Sequence, residues 1–248
     1  MGEVKPLVSV QLPSYNSANF LDASILSVLA QSFSDWELLA YDDGSDDKSY
    51  ERLQFWANVD QRIKVCRPFK KHGHYIDLCN QMLDDSEGTF VARLDADDIA
   101  LPNRLERQVA FMSDKKRDSV SAIGSLALTI WDNKDGSIDN TANWIRDFIE
   151  PVASFQRPVN MEMQSFNRVI HSTLFTRRDD IIKVGGYSDL GPVEDWDLML
   201  SLSQLGEIFV LPNIDVLKRQ HNDNFSKREH SILAQQIAKL KSKHHLTD

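Results

Sequence analysis

The stretch Val8-Ser-Val-Gln-Leu-Pro-Ser-Tyr-Asn16 decides the fold. Its first part is largely apolar and Pro13 ends the run, so we predict a buried strand over residues 7–12. Apolar side chains then recur with a 3.6-residue period between Phe20 and Leu29, which predicts a helix. A strand that leads directly into a helix is typical of a β-α-β unit and therefore favours a parallel sheet.

The alternation of strand and helix continues over the first hundred residues. Further strands are predicted at residues 36–41, 63–66 and 89–94, with helices between them, one with Leu53, Phe55 and Trp56 on its inner face and one around residues 75–83. This order is typical of α/β proteins whose mainly parallel sheet is covered by helices on both faces. Ligands of such proteins bind beyond the carboxyl ends of the strands.

Polar runs, two of them acidic, follow three of the predicted strands at that end. They are Pro13-Ser-Tyr-Asn16 after the first strand, Asp42-Asp-Gly-Ser45 after the second and Asp95-Ala-Asp-Asp98 after the fourth. Each run alone is compatible with an ordinary turn or helix cap. Because all three lie at the same edge of a parallel sheet, together they indicate a binding site.

Asp95 and Asp97 suggest the chemistry of that site. In an extended segment their carboxylates project to the same side, roughly 6 to 7 Å apart. No Lys or Arg lies between Leu94 and Pro102 to neutralise them, so a divalent cation is the natural partner. Oxygen ligands favour Mg²⁺ or Mn²⁺, which also bind substrate phosphates. The sequence therefore favours a ligand that contains a diphosphate.

The second half of the chain carries shorter signals. We expect strands at residues 121–130 and 208–211, a strand that leads into a helix from His171, a helix stop at Gly185-Gly-Tyr187, and an amphipathic helix from Glu194 with Leu198, Leu202 and Leu205 on one side. The polar stretch at residues 131–158 is expected to be a lid or an acceptor-side excursion. The two acids before Trp196 exceed what the positive end of a helix dipole requires, so they are candidates for chemistry.

The composition excludes several classes of protein. The 248 residues include 28 Lys and Arg against 37 Asp and Glu, a net charge of −9, which disfavours a nucleic-acid partner. The two cysteines, Cys66 and Cys79, have neither metal-ligand nor disulfide-framework spacing. We therefore expect free thiols and a cytoplasmic location. The most apolar window, residues 123–131, is too short to cross a bilayer.

Six runs together resemble the family 2 glycosyltransferases in order and spacing, between residues 7 and 226. The runs are residues 8–16, residues 25–37, Asp42-Asp-Gly-Ser-Asp46, Leu94-Asp-Ala-Asp-Asp98, Gly185-Gly-Tyr187 and Glu194-Asp-Trp-Asp-Leu198. The resemblance implies a GT-A fold and a nucleotide-sugar donor, with UDP as the expected nucleotide. It also implies Mn²⁺ or Mg²⁺ as cofactor, and transfer with inversion at the anomeric carbon to a glycan or lipid-linked acceptor.

The resemblance further implies a donor site. The nucleotide-sugar-binding residues would be Pro13, Ser14, Tyr15, Asn16, Asp43, His74, Asp95, Ala96, Asp97 and Arg219. Within this set Tyr15 would stack on the base, Asp43 would accept a hydrogen bond from the base, and Asp95 would hold the ribose side. Asp97 would bind the metal, with Asp95 and His221 as further candidate ligands.

The catalytic role falls, by the same resemblance, on Asp195. Its carboxylate would take the proton from the acceptor hydroxyl as that oxygen attacks the anomeric carbon. Glu194 is the neighbouring alternative for this base. Arg219 and His221 would lie near the diphosphate and assist its departure.

Two positions depart from the family pattern. Leu78-Cys79-Asn80 stands where many members have Ala-Arg-Asn, so an arginine that supports the nucleotide side is missing, and His74 is the candidate to replace it. Gln11 stands where an apolar residue is usual. Neither departure removes the metal pair or the base.

Three alternative functions make different demands on the same residues. A sugar-nucleotide nucleotidyltransferase needs a glycine-rich loop with Arg and Lys where this chain has Pro13-Ser-Tyr-Asn16. A phosphatase of the haloacid dehalogenase type needs its paired aspartates after the first strand. A non-catalytic carbohydrate-binding or scaffold homologue is expected to lack the metal pair or the base, yet Asp43, Asp95, Asp97 and Asp195 are all present.

The chain is expected to form one domain with a helical extension. Residues 1–110 would be the nucleotide-sugar-binding half, residues 111–225 the acceptor-binding and catalytic-base half, and residues 226–248 a C-terminal amphipathic helix. This last region has a net charge of +3, from five basic and two acidic residues. Such a helix either docks its apolar stripe on the domain or contacts an anionic surface through its basic side. The second alternative would place the protein at the inner membrane surface.

Overall fold

The computed structural model of the protein describes residues 5–67, 75–132, 138–139, 157–221 and 232–246. Nine strands form one sheet in these residues. They are β1 (Val8–Ser14), β2 (Trp36–Asp42), β3 (Ile63–Cys66), β4 (Phe90–Arg93), β5 (Ile99–Ala100), β6 (Val120–Asp132), β7 (Ile138–Asp139), β8 (Phe175–Arg177) and β9 (Glu207–Gln220). The order across the sheet is β3-β2-β1-β4-β8-β6-β9-β5, and β7 pairs with β6.

Helices connect these strands and cover both faces of the sheet. They are α1 (Leu21–Leu29), α2 (Ser49–Val59), α3 (Tyr75–Asp85), α4 (Arg104–Met112), α5 (Asn160–Met163), α6 (Arg178–Lys183), α7 (Glu194–Ser203) and α8 (Leu233–Lys243). Short 3-10 turns lie at Lys115–Arg117, His171–Thr173 and Gly191–Val193. The predicted order of strands and helices is confirmed through β4, with boundaries that shift by one or two residues.

The sheet is parallel in its first half and mixed in its second. β3, β2, β1 and β4 run parallel. β8 runs antiparallel to both β4 and β6, β5 runs antiparallel to β9, and β6 is parallel to β9. The expectation of a mainly parallel sheet is confirmed, because β1, β2, β3, β4, β6 and β9 share one direction and only the short strands β5, β7 and β8 oppose it. The three-residue strand β8, Phe175-Thr-Arg177, is too short for its sequence to indicate a strand direction.

Alternate side chains of β4 pack into two different hydrophobic cores, one on each face of the sheet. Along β4, Phe90 and Ala92 pack with α1, α2 and α4, whereas Val91 packs with α3, α7 and α8. This division follows from the two-residue period of a strand. The helices on both faces confirm the predicted α/β architecture, and they hold the carboxyl ends of β1, β2 and β4 side by side.

Two apolar side chains differ from their predicted positions. Phe55 of α2 is exposed, because it lies two residues beyond the buried Leu53 and hence on the opposite side of the helix, whereas Trp56 packs partly against the core. Leu205 is also exposed, because α7 ends at Ser203 and the chain leaves the helical face before it.

Three further expectations concern the rest of the chain. Of the polar stretch at residues 131–158, the structure describes a β6–β7 pair and the last two residues, and the remainder of the expected lid lies outside the described residues. Both cysteines are free thiols. Within the described residues no helix has the length and apolar character needed to cross a bilayer.

Candidate functional site

The loops after β1 and β2 are joined by hydrogen bonds at the carboxyl edge of the sheet. Asn16 adopts a left-handed backbone with φ of 49°. Its main-chain N–H donates to Ser45 Oγ at 2.9 Å, and its side-chain Oδ1 accepts from the Asp46 N–H at 2.9 Å. Asn tolerates this conformation because its short polar side chain bonds locally. The polar run after β1 is therefore fixed against the acidic run after β2.

The two acids of Asp42-Asp43 occupy different environments. Asp42 is fully buried, and its Oδ2 accepts from the N–H groups of Gly44 and Ser45 at 3.1 and 3.0 Å and pairs with Arg67 Nε at 3.2 Å. Asp43 is half-buried at the rim, and its N–H donates to Ser14 O at 2.8 Å. Asp42 thus builds the turn, and Asp43 is the acid at the edge of the site.

Tyr15 stands exposed between these loops, whereas Pro13 and Ser14 end β1 in buried positions. An exposed aromatic ring at the rim of a pocket can stack on a planar base. His74, the remaining candidate of the nucleotide side, lies outside the described residues.

The run Asp95-Ala-Asp-Asp98 forms a turn rather than an extended segment. β4 ends at Arg93, and the Asp98 N–H donates to Asp95 O at 3.1 Å. The expectation that Asp95 and Asp97 share one side of an extended strand is therefore wrong. The turn forms because the chain must reverse direction to enter β5, which pairs antiparallel with β9. Ala96 is buried within this turn.

The end of β9 binds this turn from the other half of the chain. Asp98 Oδ1 accepts from the Arg219 N–H at 2.8 Å, and Arg219 Nε donates to Asp97 O at 3.0 Å. Burial, together with the charges of Asp97 and Asp95, raises the pKa of Asp98. His221 Nε2 lies 3.0 Å from Asp97 Oδ2. The predicted residues Asp97, Arg219 and His221 therefore meet, although more than 120 positions separate them in sequence.

Asp97 and His221 have the donor atoms of a divalent metal site. A carboxylate oxygen and an imidazole nitrogen both suit Mn²⁺. Among the described residues no group of three or more His, Cys, Asp or Glu side chains is placed to hold a metal. Two protein ligands still fit a cation that binds through one or two side chains plus substrate phosphates and water.

Asp95 faces a different set of partners. Its Oδ1 accepts from Arg93 Nε at 3.0 Å, and its N–H donates to Ser172 Oγ at 3.2 Å. Burial alone would raise the pKa of Asp95, but the Arg93 guanidinium and the nearby His171 ring hold it below its usual range. Asp95 therefore stays ionised at the centre of the site.

Glu194 and Asp195 begin α7 on the far side of the site. Asp195 Oδ2 accepts from Asn167 Nδ2 at 2.9 Å, and Oδ1 accepts from the Trp196 N–H at 2.7 Å. Burial raises the pKa of Asp195, and the negative charge of Asp95 adds to the rise. Burial and the adjacent Asp195 also raise the pKa of Glu194. The Asp95 and Asp195 carboxyls are therefore near enough for the charge of one to affect the pKa of the other.

Asp197 lies outside this site although it belongs to the same acidic run. Its carboxylate accepts from Ser188 Oγ at 2.5 Å and Lys243 Nζ at 2.7 Å, and it contacts His244 Nε2 at 2.7 Å. Asp197 thus attaches α8 to α7.

The Gly185-Gly-Tyr187 run connects α3 to His171 at the wall of the site. Asn80 Nδ2 donates to Tyr187 O at 2.9 Å, and Asn80 Oδ1 accepts from the Tyr187 N–H at 2.8 Å. Tyr187 Oη lies 3.0 Å from His171 Nε2. Burial and the Arg93 charge lower the pKa of His171 to about 3, so this ring is neutral.

Sequence reasoning missed Arg93, Asn167 and His171 as parts of the site. Arg93 carried a visible signal, because it is a charged residue in the otherwise apolar strand Phe90-Val-Ala-Arg93. Asn167 carried no signal, since a polar residue in a loop is ordinary. The sequence predicts that His171 begins a strand, whereas it begins a 3-10 turn.

Known glycosyltransferases resemble this chain in sequence. Residues 9–126 match the family model described as glycosyl transferase family 2. An uncharacterised glycosyltransferase of Haemophilus influenzae is 28% identical over 223 residues, which cover 89% of this chain and 68% of that protein. The Escherichia coli UDP-Glc:alpha-D-GlcNAc-diphosphoundecaprenol beta-1,3-glucosyltransferase WfgD is 41% identical over 107 residues, 43% of this chain and 41% of that protein.

A solved structure resembles nearly the whole chain. The mannosyltransferase PcManGT of Pyrobaculum calidifontis, in complex with GDP-Man and Mn²⁺, aligns with a TM-score of 0.71 at 16% identity and covers 98% of this chain and 70% of that one. At this identity the likeness shows a shared fold, which is the GT-A fold. The chain spans less than half the length of several curated relatives that it matches.

Proposed function

The chain belongs to glycosyl transferase family 2, and from this premise we propose that it transfers a sugar from a UDP-sugar to a hydroxyl group of a glycan or lipid-linked acceptor. The observation that carries the proposal is the meeting of Asp97, Arg219 and His221 beside Asp95, within electrostatic reach of Asp195. A donor-binding acid, a diphosphate-binding group and a base are the minimum set for such a transfer.

The donor would bind across the carboxyl edge of β1, β2 and β4. Tyr15 would stack on the base, Asp43 would accept a hydrogen bond from it, and Asp95 would hold the ribose side. The hydrogen bonds between the loops after β1 and β2 support this assignment, because they fix Asn16 and the turn that follows Asp43 in place. The WfgD relative is named for UDP-Glc, which favours UDP here.

Asp97 and His221 would hold Mn²⁺ or Mg²⁺. Their 3.0 Å contact and the chemistry of the two donor atoms support this pair, whereas Asp95 Oδ1 is engaged by Arg93. When bound, the cation would stabilise the negative charge of the departing diphosphate. Arg219, whose Nε donates to the carbonyl of Asp97, lies next to that charge.

Asp195 would be the base rather than Glu194. Burial raises the pKa of both acids, to about 6 for Asp195 and, with the charge of the adjacent Asp195 added, to about 8 for Glu194, so Glu194 retains its proton to higher pH. Glu194 Oε2 accepts no hydrogen bond within the described part of the chain, whereas both Asp195 oxygens do. Asp195 would remove the acceptor proton, the acceptor oxygen would attack the anomeric carbon from the side opposite the diphosphate, and the product would be inverted.

Two variants test the catalytic assignment. Asp195→Asn keeps the shape of the side chain and removes its basicity, so we expect donor affinity to persist while turnover falls by about 10² to 10⁴. Glu194→Gln is the matched control and should cost less. If Glu194→Gln is instead the less active variant, the base is Glu194 and the assignment to Asp195 is wrong.

A panel of nucleotides tests the donor assignment. Thermal shifts of the wild-type protein would be recorded with UDP, GDP, ADP and CDP, each with Mn²⁺. We expect only the matching nucleotide, UDP, to raise the melting temperature substantially. A larger shift with GDP would reject UDP but leave glycosyl transfer intact, and no shift with any nucleotide would contradict donor binding itself.

The location of the enzyme follows from the proposed acceptor. A lipid-linked acceptor would lie at a membrane surface, and the WfgD relative is named for a diphosphoundecaprenol acceptor. We propose that α8 makes a peripheral contact with that surface, at the cytoplasmic face of the membrane, through its exposed lysines.

A further inference from the structure

Arg93 is a fully buried arginine at the end of β4. A buried guanidinium keeps its charge, and the cost of removing it from water is recovered only through well-aligned partners. The partners of Arg93 therefore reveal what its charge is used for.

The Arg93 guanidinium connects the donor site to α3. Nε donates to Asp95 Oδ1 at 3.0 Å, Nη1 donates to Cys79 Sγ at 3.3 Å, and Nη2 donates to Tyr75 Oη. The Tyr75 ring centroid lies 5.3 Å from the guanidinium carbon. Two nitrogens are thus anchored on α3, and the third is aimed at the acid proposed to hold the ribose.

The charge of Arg93 also affects the acidic residues at the start of α7. Burial and Asp195 raise the pKa of Glu194, and the positive charge of Arg93 opposes this rise. The charge of Arg93 therefore acts on Glu194 in the first turn of α7 as well as on Asp95, to which its Nε donates.

We propose that Arg93 is a positioning residue of the donor site, which orients the Asp95 carboxylate for the donor and provides, from β4, the guanidinium that position 79 lacks. The proposal rests on the proposed function, because it needs Asp95 to bind the donor. The contact between Arg93 Nη1 and Cys79 Sγ places the guanidinium directly against position 79.

If Arg93 had a purely structural role, its replacement would lower the melting temperature and leave UDP affinity unchanged. Removing one partner of a buried ion pair lowers stability, but the Asp95 carboxylate is 35% exposed and can be solvated. We therefore expect Arg93→Met to fold with a lower melting temperature, and its Asp95 carboxylate to lose its fixed orientation. Because one charge-assisted hydrogen bond to the ligand-binding acid is removed, we expect UDP affinity to fall by about tenfold or more.

The test measures UDP affinity by calorimetry in Mn²⁺, together with KM for the donor, kcat and the melting temperature. The variants are Arg93→Met, Arg93→Lys and the double variant Arg93→Met/Cys79→Arg. Arg177→Met is the matched control, because Arg177 of β8 is also largely buried but donates to the main-chain carbonyls of Val120 and Met112. We expect Arg177→Met to lower the melting temperature and to leave UDP affinity unchanged.

The expected pattern separates positioning from stability. Arg93→Met should raise the donor KM more than it lowers kcat, and the double variant should recover part of the lost affinity. UDP affinity within twofold of wild type in Arg93→Met would overturn the proposal, as would a double variant no better than Arg93→Met. Should Arg93→Met fail to fold, Arg93→Lys decides, with reduced UDP affinity supporting the proposal and unchanged affinity overturning it. A wild-type protein that binds no nucleotide would instead contradict the proposed function.

Discussion

Asp195 and Asp197 lie two residues apart on the first turn of α7, yet their carboxylates have different partners. Asp195 accepts from Asn167 at the site, whereas Asp197 is buried against Lys243 and His244. Asp42 and Asp43 divide in the same way between the turn and the rim. At the scale of single residues, the hydrogen-bond partners decide which acid of a pair supports the fold and which can act on a ligand.

Asp97→Ala tests the metal pair. Removing this carboxylate leaves His221 as a single protein ligand, so UDP affinity should lose its dependence on Mn²⁺. Calorimetric titration of UDP with and without Mn²⁺ measures the effect. Asp118→Ala, which removes an exposed acid distant in sequence from the site, is the control. Equal affinity with and without Mn²⁺ in the wild type as well as in Asp97→Ala would reject the metal assignment.

Asn167→Ala tests the orientation of the base. Asn167 Nδ2 stabilises the ionised form of Asp195 through a 2.9 Å hydrogen bond, so its loss should raise the pKa of Asp195 further. Because the proposed base Asp195 must be ionised to accept the proton, we expect activity to be lost as the pH falls through this pKa. The acidic limb of the kcat profile should therefore move to higher pH.

Gln164→Ala, an exposed position in the same loop, provides the control for Asn167→Ala and should leave the limb in place. An unchanged acidic limb in Asn167→Ala would show that the hydrogen bond does not act on the base.

The turn at Gly185-Gly186 shows how an element boundary positions a site. Both glycines have a positive φ, of 90° and 74°, which ends α6 as the sequence predicts. The chain then passes close to Asn80, whose side chain bonds both main-chain groups of Tyr187. The helix stop thus attaches α3 to the wall of the site that contains His171.

Comparing Gly185→Ala with Gly186→Ala separates the cost of a left-handed backbone from the cost of a steric clash with Asn80. A Cβ at position 186 would lie 2.5 Å from Asn80 Oδ1, whereas a Cβ at position 185 would meet no atom within 4 Å. We expect Gly185→Ala to cost about 1 kcal/mol from its left-handed backbone. Gly186→Ala should cost about 1 to 3 kcal/mol more, because the Asn80 pair is displaced.

Urea denaturation of both variants measures these costs in the free energy of unfolding. Equal losses in the two proteins would show that the contact with Asn80 contributes nothing.

At the scale of the whole molecule, the main strands and helices of both halves could be predicted, whereas the contacts between distant segments could not. Strands β1 to β4 follow from local apolar runs and helical periodicity, which act over a few residues. The direction of β8 and the bonds from Arg219 and His221 to the turn at Asp97 depend on packing between distant segments. The family resemblance grouped these residues and the structure brings them into contact, but their partners, Arg93 above all, required the structure.

The sequence left two roles open for the C-terminal helix α8, docking on the domain or contact with an anionic surface. Leu240 is fully buried and Leu233 and Ile237 pack against the second core, so the apolar stripe of α8 faces the domain. Lys243 pairs with the buried Asp197 at 2.7 Å and so links α8 to the helix that begins with the proposed base. Only the outer, polar side of α8 is therefore available for the proposed contact with a membrane.

Sedimentation with anionic vesicles tests that contact. Basic residues near an anionic leaflet contribute about 1 kcal/mol each, and Lys239 is exposed on the outer side of α8. We expect weak binding at low salt that is lost at high salt, and that falls in Lys239→Glu, a charge reversal that leaves the buried stripe intact. Deleting residues 227–248 should abolish binding, but it also removes Leu240 and Lys243 from their contacts, so Lys239→Glu is the cleaner comparison. Neutral vesicles are the control for charge. Equal binding by wild type and Lys239→Glu, or no binding by wild type, would leave α8 as a brace of α7 and place the acceptor contact elsewhere.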